Sequence, residues 1–281
     1  MINLVAASLT DPGLEREENE DNIWVQVYQS PNRKPIGLFV VCDGMGGHMG
    51  GGFASYWAVE AIKHEFADLF VAKDPRATLV LTEKDIEDVR AGKLITPPPP
   101  PEPNIEERVW LAIQKANNVV YEYAKHKPME AANAGTTVTL AGVYGSDAII
   151  ANAGDGRAYL LRDQELIKIT RDHSLVANMV SEGYIQPDEV YSHPQRNVIY
   201  RFLGQKGLVY PDIYSQVLQA GDYLILCSDG LWEMVRNEEI IVRLVQDADD
   251  PAQACQALVD AANEAGGEDN ISVVVVKVSE A

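Results

Sequence analysis

The sequence predicts an α+β layered domain, and three observations carry that expectation. Short runs rich in Val, Ile and Leu recur along the 281 residues. Stretches of helical periodicity separate groups of these runs instead of alternating with them one for one, which argues against a doubly wound parallel sheet. Finally, 46% of the residues are apolar, enough to bury a substantial core without disulfides or a structural metal.

Taken in order, the strand-like runs are 2–9, 22–28, 36–42, 137–144, 148–152, 157–162, 222–227 and 271–278. Their lengths and flanking glycines or polar turns read as strands. Gly145-Ser146-Asp147 and Arg162-Asp163-Gln164-Glu165 read as hairpin connections. Helical spacing predicts a helix over 53–71, with Phe53, Trp57, Ala61 and Phe66 on one face. A second runs over 105–125, with Ile105, Val109, Ala112, Ala116, Val119 and Tyr123 aligned, and an alanine-rich third over 251–264. Trp57 and Trp232 read as packing residues. One segment breaks the pattern: residues 72–103 end in Pro97 to Pro101, Glu102 and Pro103. A run of prolines can neither join a sheet nor continue a helix and favours polyproline II. It reads as a surface excursion, with Thr82 as a helix N-cap just before it.

The charge balance narrows the function classes. Net charge is −19, and the longest basic run is Arg33-Lys34. Such a chain repels a phosphate backbone, so nucleic acid and anionic membrane are poor partners. No apolar stretch approaches the ~20 residues of a membrane span. The start lacks a basic region followed by an apolar one, so a cytoplasmic protein is expected. Cys42, Cys227 and Cys255 form no CxxC pair; the first two end apolar strands and read as buried hydrophobes.

Chemistry is carried by carboxylates at strand ends. Asp43 follows the run 36–42 and opens Asp43-Gly44-Met45-Gly46-Gly47-His48. Asp229 follows 222–227, Asp269-Asn270 precedes 271–278, and Glu20-Asp21 precedes 22–28. Antiparallel neighbours would bring these ends to one edge of a sandwich. Gathered carboxylates repel unless a cation neutralises them, and oxygen-only ligands select Mg²⁺ or Mn²⁺ over zinc. Glycine after Asp43 lets a backbone carbonyl approach an ion.

The order of Arg16-Glu17-Glu18-Asn19-Glu20-Asp21, Asp43-Gly44-Met45-Gly46-Gly47, Ala134-Gly135-Thr136-Thr137, Asn152-Ala153-Gly154-Asp155-Gly156-Arg157, Asp172-His173-Ser174, Ser228-Asp229-Gly230-Leu231-Trp232 and Glu268-Asp269-Asn270 resembles the metal-dependent serine/threonine protein phosphatases of type 2C in their bacterial form. The resemblance runs from about residue 5 to residue 278. It implies a single domain over 1–281, built as a four-layer α-β-β-α sandwich with two antiparallel sheets flanked by helix pairs. Residues 72–103 would be an insertion and 171–204 a substrate-contacting flap.

The resemblance also implies roles. Asp43 would bridge two metal ions, with the Gly44 carbonyl on one of them. Asp229 and Asp269 would hold the first metal, and Asp21, with Glu20 beside it, the second. Asp155, with Asp229, matches a third and weaker site. Arg16 would grip the substrate phosphate, where a forked guanidinium adds orientation to charge. The implied reaction is hydrolysis of phosphoserine and phosphothreonine by metal-activated water, without a phosphoenzyme. Phosphorylated proteins would be the partners, a Ser/Thr kinase among them, and the protein a monomer.

One position departs from eukaryotic members, which carry histidine two residues after the bridging aspartate. Met45 stands there and cannot donate a proton. His48 is the candidate donor, with a metal-bound water as the competing acid. Thr136 and Thr137 are expected to satisfy backbone groups, and Arg157 to brace the metal shell. An aspartate-nucleophile phosphatase would want a carboxylate at Met45, and Gly92-Lys93-Leu94 is no phosphate-binding loop. A non-catalytic phosphoprotein-binding module is the rival from another class. The retained Asp21, Asp43, Asp229, Asp269 and Arg16 argue against it.

Overall fold

The computed structural model describes residues 2–30, 33–46, 50–71, 87, 90, 102–127 and 134–281. Its first strands are β1 (Ile2–Asp11), β2 (Asn22–Ser30), β3 (Arg33–Cys42), β4 (Gly44–Met45), β5 (Gly135–Thr136) and β6 (Val138–Tyr144). They are followed by β7 (Asp147–Ala153), β8 (Arg157–Arg162), β9 (Glu165–Lys168), β10 (Asp212–Val217), β11 (Tyr223–Cys227) and β12 (Ile271–Glu280). One five-stranded sheet has the order β1-β12-β11-β8-β9, the other β10-β7-β6-β3-β2, and β4 pairs with β5. Neighbouring strands are antiparallel throughout.

The helices are α1 (Gly50–Phe66), α2 (Ile105–His126), α3 (Leu175–Ser181), α4 (Asp229–Trp232), α5 (Glu238–Asp247) and α6 (Pro251–Glu264). Asn104, Ser174, Asn237 and Asp250 cap α2, α3, α5 and α6 by accepting from backbone amides of the first turn. Among the described residues no helix is long and apolar enough to cross a membrane.

Three apolar layers hold the sandwich together, and strand parity assigns residues to them. Leu38, Val40 and Cys42 of β3 face α1 and α2. Phe39 and Val41, one residue out of phase, face the other sheet. In β12, Val273 and Val275 lie under α4 to α6, while Val274, Val276 and Val278 fill the space between the sheets. Burial on both faces is why these strands read as unbroken apolar runs. Full burial of each such side chain contributes about 1.5–3 kcal/mol. The four-layer arrangement is the one expected.

Several local expectations need correction. The buried face of α1 is Ala54, Ala58, Val59, Ile62 and Phe66, so Phe53 and Trp57 lie outside it, 39% and 42% exposed. Two small residues, Ala54 and Ala58, let the helix sit close to the sheet, which turns the bulkier aromatics outward. In α2 the buried position is Val120, not Val119. Strand β9 was implied only by the hairpin connection at 162–165, which the pairing of Arg162 with Glu165 confirms; β10, the two-residue β4 and β5, and helices α4 and α5 went unread. The expected Thr82 cap, the Pro97–Pro101 run and His48 fall outside the described residues.

Candidate metal and phosphate site

The site forms where ends from both sheets meet. Asp43 leaves the C-terminal end of β3 and Asp21 enters the N-terminal end of β2, its antiparallel neighbour. In the other sheet Asp229 follows β11 and Asp269 precedes β12, again antiparallel neighbours. Asp155 sits on the connection from β7 to β8, which passes from one sheet to the other at the same end. These ends surround a cleft of about 660 Å³ lined by Arg16, Asp43, Gly44, Asp155, Asp229 and Asp269, among others.

Backbone bonding holds each carboxylate in place. The Asp43 carbonyl accepts from the Thr137 amide and the Thr136 hydroxyl, both at 2.8 Å, and the Asp43 amide donates to Thr137 Oγ1 at 3.1 Å. Gly44 is required sterically: a Cβ there would stand 2.3 Å from the Gly51 carbonyl oxygen and 2.5 Å from that of Glu20. Glu20 turns its side chain to the Gly52 amide at the start of α1, 3.3 Å away, where the helix end favours an anion. Asn270 ties the strand ends together, accepting from the Glu20 amide and donating to the Pro12 and Glu18 carbonyls. The indole of Trp232 donates to the Asp155 carbonyl at 3.0 Å.

The electrostatics are those of a site built for cations. Burial pushes Asp43 well above the usual carboxylate range, and the charges of Asp229, Asp21, Asp155 and Asp269 push the same way. Asp229 is raised well above its ordinary value too, by burial and then by Asp155 and Asp269. Asp21 is pushed up to about 7, chiefly by burial, against the nearby Ser272 and Ser228 hydroxyls. Asp155 also rises to about 7, from burial and the Asp172 charge.

Neither carboxylate oxygen of Asp21 has a hydrogen-bond partner, although both are buried. Leaving such a group unsatisfied costs several kcal/mol, on the order of the desolvation of an unpaired charge. A divalent cation is what this donor set lacks, and hard oxygen ligands fit Mg²⁺ or Mn²⁺. Among the described residues, no three acidic, histidine or cysteine side chains already converge on a common coordination point.

Two arginines enter this acidic cleft. Arg16 Nη2 donates to Asp269 Oδ2 at 2.7 Å. Arg196, from the connection after α3, reaches Glu233 and Glu268, 3.7 Å from a carboxylate oxygen of each. Neither Arg196 nor Glu233 was expected at the site. Glu233 follows directly on Ser228-Asp229-Gly230-Leu231-Trp232, and that adjacency was the available signal. Arg157 braces the site from behind: its guanidinium lies 3.5 Å from the Trp232 ring centre and bonds Asp172 through Nε and Nη2. Cys42, Cys227 and Cys255 are buried, and burial raises all three thiols, the latter two to about 12.

Residues 17–263 match the protein phosphatase 2C family. The serine/threonine phosphatase Stp of Listeria monocytogenes is 33% identical over 270 residues, covering 95% of this chain and 93% of that protein. The protein phosphatase PhpP of Streptococcus pneumoniae is 34% identical over 275 residues, 97% and 96% of the two chains. Among solved structures, the Mycobacterium tuberculosis serine/threonine phosphatase PstP/Ppp superposes with a TM-score of 0.76 at 30% identity, covering both chains fully. The catalytic domain of PstP in complex with two manganese ions does so at 0.75 and 28%.

The chain therefore belongs to the protein phosphatase 2C family. It is a serine/threonine protein phosphatase, dependent on a divalent metal and acting on phosphorylated proteins.

Proposed function

We propose that phosphoserine and phosphothreonine are hydrolysed in the cleft where the ends of β2, β3, β11 and β12 meet, by direct attack of water. The observation that carries this reading is the buried, unpartnered carboxylate of Asp21 beside Asp43 and Asp229, whose charges cannot coexist there without a cation. Asp43 would serve two ions, with the Gly44 carbonyl on one of them; Asp229 and Asp269 would hold the first, and Asp21, with Glu20 beside it, the second. Asp155 would share a third, weaker site with Asp229. When bound, the cations supply the positive charge that acidifies water and offsets charge on the phosphoryl oxygens.

The remaining roles belong to the chain. Arg16 orients the substrate phosphate. Its bond to Asp269 Oδ2 holds the Arg16 guanidinium at the edge of the carboxylate cluster, where a phosphate would meet both. The buried thiols with raised pKa are poor nucleophiles, which speaks against a cysteine-linked intermediate. Met45 donates no proton, so His48 stands as the candidate acid by sequence position. The domain spans 1–281, with an insertion at 72–103 and a flap at 171–204 that contributes Arg196. The same reading makes the protein a cytoplasmic, monomeric signalling enzyme with a Ser/Thr kinase among its substrates, using Mn²⁺ or Mg²⁺.

Phosphate release from a phosphothreonine peptide tests this, with Mn²⁺, Mg²⁺ or EDTA, for wild type and Asp43→Ala. Release that needs metal and disappears in Asp43→Ala supports the assignment. Equal release by both proteins would place the metal centre elsewhere.

A further inference from the structure

The third cation site assigned above depends on a single loop residue, Asp155, and the structure ties that loop to an unexpected side chain. His173 follows Asp172 after β9 and heads the 171–204 segment. It is 1% exposed, and its backbone and both ring nitrogens are engaged. The Gly154 amide donates to His173 Nδ1 at 3.2 Å, and the His173 amide donates to the Gly154 carbonyl at 2.8 Å. Both peptide groups flanking the Gly154 Cα are thereby held, immediately before Asp155. The turn has one permissible occupant: Gly154 has φ +132°, and a Cβ would stand 2.5 Å from that of Thr137. With the Trp232 indole on the Asp155 carbonyl, the backbone is clamped on both sides of Asp155.

The backbone amide of Gly154 can only donate, so its bond uses Nδ1 as the acceptor, while Nε2 stands 3.2 Å from Asp212 Oδ2 on the far side of the ring. Arg201 bonds the other oxygen of Asp212 and lies 2.8 Å from Nε2. Burial first, and then the Arg201 charge, favour the neutral imidazole against the pull of Asp212. The His173 carbonyl accepts from the Tyr200 amide at 3.0 Å, so one residue joins the Asp155 turn to both ends of the 171–204 segment.

We propose that His173 is a positioning residue for Asp155: its Nδ1 acceptor holds the Gly154 amide and so sets where the Asp155 carboxylate stands toward a cation. This rests on the reading of Asp155 as a ligand of the third metal. Its consequence is that two near-isosteric substitutions must differ. In His173→Asn the side-chain oxygen occupies the place of Nδ1 and keeps the bond to Gly154. In His173→Gln the amide reaches the place of Nε2 and that bond is lost.

The experiment compares wild type, Asp155→Ala, His173→Asn, His173→Gln and the Asp155→Ala/His173→Gln double variant, all as the full chain. Mn²⁺ binding is measured by calorimetry without substrate, Mn²⁺-dependent phosphate release by titration, and folding by thermal unfolding in EDTA. His173→Gln should weaken the Mn²⁺ step that Asp155→Ala also weakens, by about tenfold or more, the usual effect of losing a group that orients a ligand. His173→Asn should stay close to wild type although both variants lose one ring bond and similar thermal stability. The double variant should be no worse than Asp155→Ala. Asn and Gln variants with the same Mn²⁺ response would overturn the positioning role while leaving Asp155 as a ligand. An Asp155→Ala protein with unchanged Mn²⁺ binding would overturn the Asp155 assignment itself, and the proposal with it.

Discussion

Arg16 Nη2 lies 2.7 Å from Asp269 Oδ2, so the residue expected to grip phosphate and a residue expected to hold metal are bonded to each other. Both side chains are partly exposed at the cleft mouth, 53% and 37%, and an ion pair so placed is worth little on its own. The pair is therefore easily exchanged for better partners. Replacing Arg16 by Ala should lower kcat/KM by about ten- to a hundredfold, the worth of a charge-assisted hydrogen bond of about 1.5–3 kcal/mol. Arg16→Lys should recover only part of it, because the forked contact is lost. Steady-state kinetics on a phosphothreonine peptide checks this, and a fully active Lys variant would mean that charge alone matters.

Asp43→Asn should separate activity from stability. Its charge is central to the carboxylate cluster, and each of Asp21, Asp155, Asp229 and Asp269 raises its pKa. Losing it should reduce phosphate release by about a hundredfold or more, beyond what loss of a supporting group costs. The metal-free variant should nevertheless unfold several degrees higher than wild type, since one buried like charge is gone. Scanning calorimetry in EDTA reads this directly; a lower melting temperature would contradict it.

Metal-free stability should fall as pH rises. Asp21 and Asp155 are pushed up to about 7, whereas unfolded aspartate titrates near 3.9. Between those values the folded protein binds more protons than the unfolded chain, so each step up in pH favours unfolding. The melting temperature in EDTA should therefore decline from about pH 5 to about pH 7.5. Mn²⁺ should reverse the decline, and most strongly at the upper end, where the ligands are already ionised. A flat profile in EDTA would show that these carboxylates are not strained by burial.

Arg157→Ala should be costly to the fold. Its guanidinium stacks on Trp232 and bonds Asp172, whose side chain is 6% exposed and also meets Lys168 Nζ at 2.6 Å. Removing one partner of a buried pair costs about 3 kcal/mol or more. At about 2–4 °C per kcal/mol the melting temperature should drop by roughly 6–12 °C. Arg157→Lys should fall between, keeping charge without the planar stack. An unchanged melting temperature would remove Arg157 from the scaffold.

What the amino-acid order determined by itself was the central strands and the carboxylates at their ends. Runs such as Leu38-Phe39-Val40-Val41 and Val273-Val274-Val275-Val276 admit no amphipathic reading, because both strand faces are buried; Asp43-Gly44 closes the strand of the first, and Asp269-Asn270 opens the strand of the second. Edge strands β9 and β10 carry no unbroken apolar run because they are short and water covers much of each, so apolar and polar residues are mixed along them. Helix α5 carried signals in Asn237 and the pair Ile241 and Val245, four residues apart.

Only the tertiary structure decided which groups face one another. Asp21 and Asp229 are 208 positions apart in sequence, yet antiparallel pairing brings their strand ends to one end of the sandwich. The face of α1 was misread because aromatic spacing is blind to the small residues, Ala54 and Ala58, that allow close packing. His173 was read as opening a flap, and its hold on Gly154 depends on a crossing between chain segments that no local pattern encodes. Local periodicity sets burial, and burial sets strands; the partners of a polar side chain are chosen by distant backbone, and that choice exists only once the sheets have stacked.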